Sequence, residues 1–123
     1  DGTPLLSLGW CQRADVGLPA PDVVIFLDIS QEDAAKRGGF GEERYEKRDM
    51  QIRVRQRFAE LQALDEDAST NHPASSPPAW HIVNAAQSIE DVQKEINAIV
   101  ESTIAAVQKD KKPLSEMWPY LEK

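Results

Sequence analysis

The run Val23-Val24-Ile25-Phe26-Leu27-Asp28-Ile29 constrains the fold more than any other part of the chain. Its β-branched and aromatic residues are continuous, without the polar alternation of a strand wetted on one side. It therefore reads as a strand covered on both faces, as in a parallel sheet. Residues 1–22 read as irregular, because Pro19 and Pro21 fix φ, remove amide donors and push their predecessors to extended backbone. Ser30-Gln31-Glu32-Asp33 opens a short helix, with the Ser30 hydroxyl able to accept a free amide and Asp33 able to reach back. Gly38-Gly39-Phe40-Gly41 follows soon after and imposes a turn or a mobile loop.

A longer helix is expected over roughly 47–67, where Met50, Val54, Phe58, Leu61 and Leu64 recur at steps of four and three. Ala68 to Ala79, rich in Ser, Pro, Asn and Asp, reads as an exposed loop. Trp80-His81-Ile82-Val83-Asn84-Ala85 is a second strand. His81 has no companion at metal-ligand spacing and reads as a histidine that merely packs. Ser88-x-x-Asp91 caps a last helix whose buried stripe is Ile89, Val92, Ile96, Ile99, Val100, Thr103, Ile104 and Val107, and Pro113 ends it. Leu114, Met117 and Trp118 are expected to fold back on the body. The alternation of strands and helices is that of an α/β domain with parallel strands and flanking helices. Two strands are too few to cover such a sheet, so the chain is expected to be a piece of a larger domain.

Charge adds a local signal. The net charge is −7, against general nucleic-acid binding, yet residues 36–57 hold eight of the fourteen Lys and Arg with four acids. That segment is +4 and the remainder −11. A basic island in an acidic chain fits an anionic ligand at one place, or equally a solvated helix face. Cys11 is the single cysteine, which excludes an internal disulfide and fits a reducing compartment, the cytoplasm and the nucleus alike. No stretch approaches the roughly 18 apolar residues of a membrane span, and the start lacks the pattern of a signal peptide. The chain contains no G-x-x-x-x-G-K-[ST], no G-x-G-x-x-G and no H-E-x-x-H, and no spacing marks a Ser-His-Asp set.

A colinear set of segments says more. Asp15-Val16-Gly17-Leu18-Pro19-Ala20-Pro21-Asp22, the first strand, and Asp33-Ala34-Ala35-Lys36-Arg37-Gly38-Gly39-Phe40-Gly41-Glu42-Glu43-Arg44-Tyr45-Glu46 together resemble eukaryotic-type thymidylate kinases. Trp10-Cys11, Gln51, Asn84-Ala85-Ala86-Gln87-Ser88-Ile89-Glu90 and Pro113-Leu114-Ser115-Glu116-Met117-Trp118 stand in the order of that family. The resemblance implies part of a P-loop nucleoside-monophosphate kinase, a three-layer α/β fold. It implies transfer of the γ-phosphoryl of ATP to dTMP, giving dTDP and ADP, with Mg²⁺ held by residues outside this chain. It also implies a homodimer as the full-length protein, with no nucleic-acid or membrane partner.

By the same resemblance residues 27–51 would be a lid, and residues 80–110 the last strand and last helix. Arg37 would lie flat against the adenine, a contact suited to a planar guanidinium. Arg44 would sit near the phosphates as the catalytic arginine. Tyr45 and Gln51 would face dTMP, and Ala85, Ala86 and Gln87 would edge the adenine, mostly through backbone. Position 87 departs from the family, which often has Lys there, and Lys47-Arg48-Asp49 is more charged than usual. The family's phosphate loop and the Asp-Arg motif that grips dTMP are not in these residues, so this chain alone is expected not to catalyse. The lid of a nucleotide kinase of other base specificity and a non-catalytic α/β interaction module are the alternatives.

Overall fold

The computed structural model describes residues 5–36 and 48–121. The first helix, α1 (Leu8–Arg13), lies within the stretch expected to be irregular. Ser7 caps it by accepting the Trp10 amide at 3.1 Å, and Gln12 is its buried residue. The prolines exclude helix only from about residue 18 onward, which leaves room for two turns before them.

Strand β1 (Val23–Asp28) and strand β2 (Ala79–Asn84) pair in parallel, from Val23 opposite Ala79 to Asp28 opposite Asn84. Between them run α2 (Gln31–Lys36) and α3 (Arg48–Asn71), and α4 (Ile89–Asp110) follows β2. Helix α3 outlasts its expected end by a full turn, and a single 3₁₀ turn at Pro73–Ser75 occupies part of the expected loop. Side-chain bonds extend α3 into polar sequence: Asn71 donates to Asp67 at 2.8 Å and Ser69 to the Glu66 carbonyl at 2.6 Å.

One face of α3 is bolted along the sheet. Arg55 meets Asp28, Phe58 lies 4.8 Å from Phe26 between ring centres, and Asp65 meets Trp80. Those partners alternate along the strands, so Phe26, Asp28 and Trp80 share one sheet face. The partners of α3 move back along β1 as its own numbering rises, so helix and strand run antiparallel. At the far end Asp65, 5% exposed, accepts two indole N–H groups, from Trp80 at 2.7 Å and Trp118 at 3.2 Å. Ser88 caps α4 by accepting the Asp91 amide, and Lys111 closes it in the left-handed region at φ 48°.

Strand β1 is half-buried rather than covered on both faces, with Leu27 47% exposed, because among the described residues it pairs with β2 alone. Among the described residues only Ala68 and Val83 are buried apolar residues. The stripes expected to be buried on α3 and α4 are accordingly half-covered, and Ile89 is largely exposed. His81 is exposed and does not pack inside. The tail folds back through Met117 and Trp118, while Leu114 stays in solvent at 84% exposure. Backbone stitches secure it: Gly17 N–H to Met117 O, Met117 N–H to Leu18 O and Ala20 N–H to Ser115 O, at 2.7–3.1 Å. No helix among the described residues is long and apolar enough to cross a membrane.

Tyr120 stacks on His72 at 4.4 Å between ring centres. Burial first, and then the charges of Asp65 and Asp67, push its phenol up from 10.0. A raised folded value means that the unfolded chain loses the proton first. The associated stability is therefore full below about pH 10 and is lost as pH climbs through the folded value. Urea midpoints are expected to hold up to about pH 10 and to fall above it, less steeply in Tyr120→Phe. An identical slope in both proteins would remove Tyr120 from that account.

Candidate functional site

Parallel strands place their carboxyl ends on one edge, where open α/β sheets hold their ligands. Here that edge is Asp28 beside Asn84, each followed at once by a loop and a helix start. The Ala85 N–H donates to the Asp28 carbonyl at 2.8 Å, extending the ladder past the strand end. Asn84 turns its side-chain oxygen onto the Ala86 amide at 2.9 Å, and Gln87 donates to Glu95 of α4 at 2.6 Å. The Asn84–Ser88 loop is thus held at its start by β1 and at its end by α4.

Across the edge, Ser30 accepts the Asp33 amide at 3.1 Å and donates to the Asp33 carboxylate at 3.0 Å. The root of the segment between β1 and α3 is clamped by a forked ion pair. Arg55 presents Nε to Asp28 Oδ1 at 2.7 Å and Nη2 to Oδ2 at 2.8 Å. Asp28, first by hydrogen bonding and then by charge, raises the already high pKa of Arg55. The pair is half-exposed, so its net contribution is on the order of 1 kcal/mol or less. Its effect is geometric: it joins the end of β1 to the second turn of α3. Beside it lies a cavity of about 150 Å³ walled by Phe26, Asp28, Gln31, Gln51, Val54 and Arg55, in which the Gln31 Oε1 is buried without a hydrogen-bond partner.

Of the residues marked by sequence, Gln51 lines this cavity, half-buried. Ala85 does not line it but donates its amide to the Asp28 carbonyl, and Ala86 and Gln87 continue the neighbouring loop. Arg37, Arg44 and Tyr45 lie outside the described residues, as does the glycine-rich segment 38–41 expected to be a turn or loop. Sequence reasoning missed Asp28, Gln31 and Arg55. It counted Arg55 only as one charge of the basic island. Three cations of that island are in fact paired: Lys36 with Asp33, Arg55 with Asp28 and Arg57 with Glu60. Among the described residues no group of three or more His, Cys, Asp or Glu could hold a metal ion.

The family model described as thymidylate kinase matches residues 2–96. The chain belongs to the thymidylate kinase family. It is 41% identical over 115 residues to a thymidylate kinase of Danio rerio, covering 94% of this chain and 48% of the relative. To a human thymidylate kinase it is 42% identical over 112 residues, covering 91% and 47%. A Dictyostelium discoideum thymidylate kinase is 35% identical over 103 residues, covering 84% and 40%. The chain thus spans about half the length, 47–48%, of the first two curated relatives. Membership of the thymidylate kinase family makes this α/β arrangement part of a P-loop nucleoside-monophosphate kinase fold. The open edges and half-covered stripes are what such a part would display without neighbouring strands.

Proposed function

We propose that this chain is the lid and adenine-edge portion of a protein that phosphorylates dTMP to dTDP with ATP, in the supply of dTTP. The family match over residues 2–96 is the observation that carries this reading. Residues 27–51 are the lid, rooted where Asp28 grips Arg55. Arg37 stacks on adenine, Arg44 offsets charge on the phosphoryl group in flight, and Tyr45 and Gln51 face dTMP. Phosphoryl transfer requires positioning, charge neutralisation and exclusion of water, which a basic flap over a fixed root can supply.

Ala85, Ala86 and Gln87 edge the adenine. The Ala85 and Ala86 amides are engaged within the protein and the Gln87 amide group is tied to Glu95. The contact with adenine is made mostly through the loop backbone. Gln87, in place of the family's frequent Lys, contributes no charge. Mg²⁺ enters with ATP, since such ions are commonly held by substrate phosphates with one or two carboxylates. The working protein is a homodimer.

The test is dTDP formation from ATP and dTMP, with dUMP, CMP and AMP as competitors. Residues 1–123 alone are expected to give no turnover, whereas the intact protein turns over and prefers dTMP. Turnover by residues 1–123 alone would refute the division of labour. Preference for another monophosphate would move the reading to a kinase of different base specificity.

A further inference from the structure

At the opposite, amino-terminal end of the sheet lies a second cavity, of about 160 Å³. Val24, Leu61, Trp80, Met117, Trp118 and Tyr120 form much of its wall. Val24 stands four residues before Asp28, so roughly 13 Å of strand separates this cavity from the candidate nucleotide edge. The space matches that of an apolar cavity able to hold a benzene-sized molecule.

Its electrical character is one-sided. Asp65 and Glu116 both line it, and no Lys, Arg or His does. The Asp65 carboxylate is buried, yet its partners are two neutral indole donors, Trp80 and Trp118. None of the ion pairs among the described residues includes it. Each carboxylate oxygen carries more than one acceptor site, so one indole per oxygen leaves capacity over. A buried carboxylate is ordinarily matched by a cation. The Tyr120 phenol beside it is raised first by burial and then by the charges of Asp65 and Asp67. Trp80, Trp118 and Tyr120 also line the cavity, and aromatic rings are the side chains that attract cations most strongly where water is scarce.

We propose that this cavity binds a small organic ammonium ion with an aromatic or apolar body, its nitrogen directed to Asp65 and its body among Trp80, Trp118 and Met117. A neutral molecule of the same shape fills the space but leaves the carboxylate unmatched. An anion of that shape is repelled by both acids. The site is independent of the kinase reading, because it shares none of the residues assigned to nucleotides.

Benzylamine, toluene and benzoate are near-isosteric probes of positive, neutral and negative charge. They would be titrated at pH 7 into the intact protein, labelled so that the indole N–H resonances of Trp80 and Trp118 are followed by NMR. Benzylamine is expected to shift both resonances saturably and to bind at least tenfold tighter than toluene, with no shift from benzoate. Toluene binding as tightly, benzoate binding, or no shift with benzylamine would each overturn the proposal. In Asp65→Asn the preference for benzylamine over toluene is expected to fall at least fivefold, and an unchanged preference counts against the site. Ala20→Leu, which adds bulk at the cavity wall without touching the carboxylate, should abolish the benzylamine shifts; their persistence would also overturn the proposal.

Discussion

Asp65→Leu is expected to lower the thermal midpoint of the intact protein by about 10–15 °C, the equivalent of about 2–5 kcal/mol lost from two donors stranded without their charged acceptor. Asp65 is buried and joins three separate pieces: α3, β2 through Trp80, and the tail through Trp118. Leucine fills the volume but accepts nothing, so both indole N–H groups must find water or remain unpaired. Asn should lie between, since its carbonyl can still receive one indole. Trp80→Phe and Trp118→Phe remove the donors with most of the ring kept, and should cost less than Asp65→Leu. Combined with Asp65→Leu, either should cost much less than the sum. A fall below about 3 °C for Asp65→Leu would mean that water replaces the carboxylate freely, against its burial.

Arg44→Ala in the intact protein is expected to reduce kcat by about 10²–10³, the range seen when a charge-stabilising group is lost from a transition state. Its partner in the proposal should respond differently. In the proposed role, stacking of Arg37 on adenine would be equally strong before and during phosphoryl transfer, so Arg37→Ala should raise the KM for ATP with kcat nearly intact. Arg37→Lys keeps the charge but not the plane, and should resemble the alanine variant. Steady-state kinetics with ATP and dTMP varied separately separates the two. Equal losses in kcat from both variants would contradict the assigned roles.

Local chemistry made most of the elements legible. The apolar run at 23–28, the Ser30 and Ser88 caps and the 3.6-residue rhythm of α3 and α4 all led to elements found close to their expected bounds. What went unread depends on partners distant in sequence. Helix α1 is capped by Ser7 without the acidic third residue that advertises a capping box, and the prolines drew the whole segment toward irregular backbone. Helix α3 continues past Leu64 through polar side chains whose i,i+4 bonds periodicity of apolar residues does not register. In the site, Gln51 and the 85–87 loop came from resemblance, and the structure sets Gln51 beside Asp28 and Arg55. The Asp28–Arg55 fork spans 27 positions and leaves no local trace, so Arg55 looked like one more surface charge. Asp65 was hidden for the same reason: an acid amid the polar end of a helix is unremarkable until two tryptophans close over it.

The stitches between residues 17–20 and 115–117 carry a practical corollary for anyone editing this polypeptide. Deleting the last eight described residues would not trim a slack end. It would unzip the lead-in to β1, take the Trp118 indole from Asp65 and let water reach that carboxylate at one stroke. Cloning boundaries belong elsewhere.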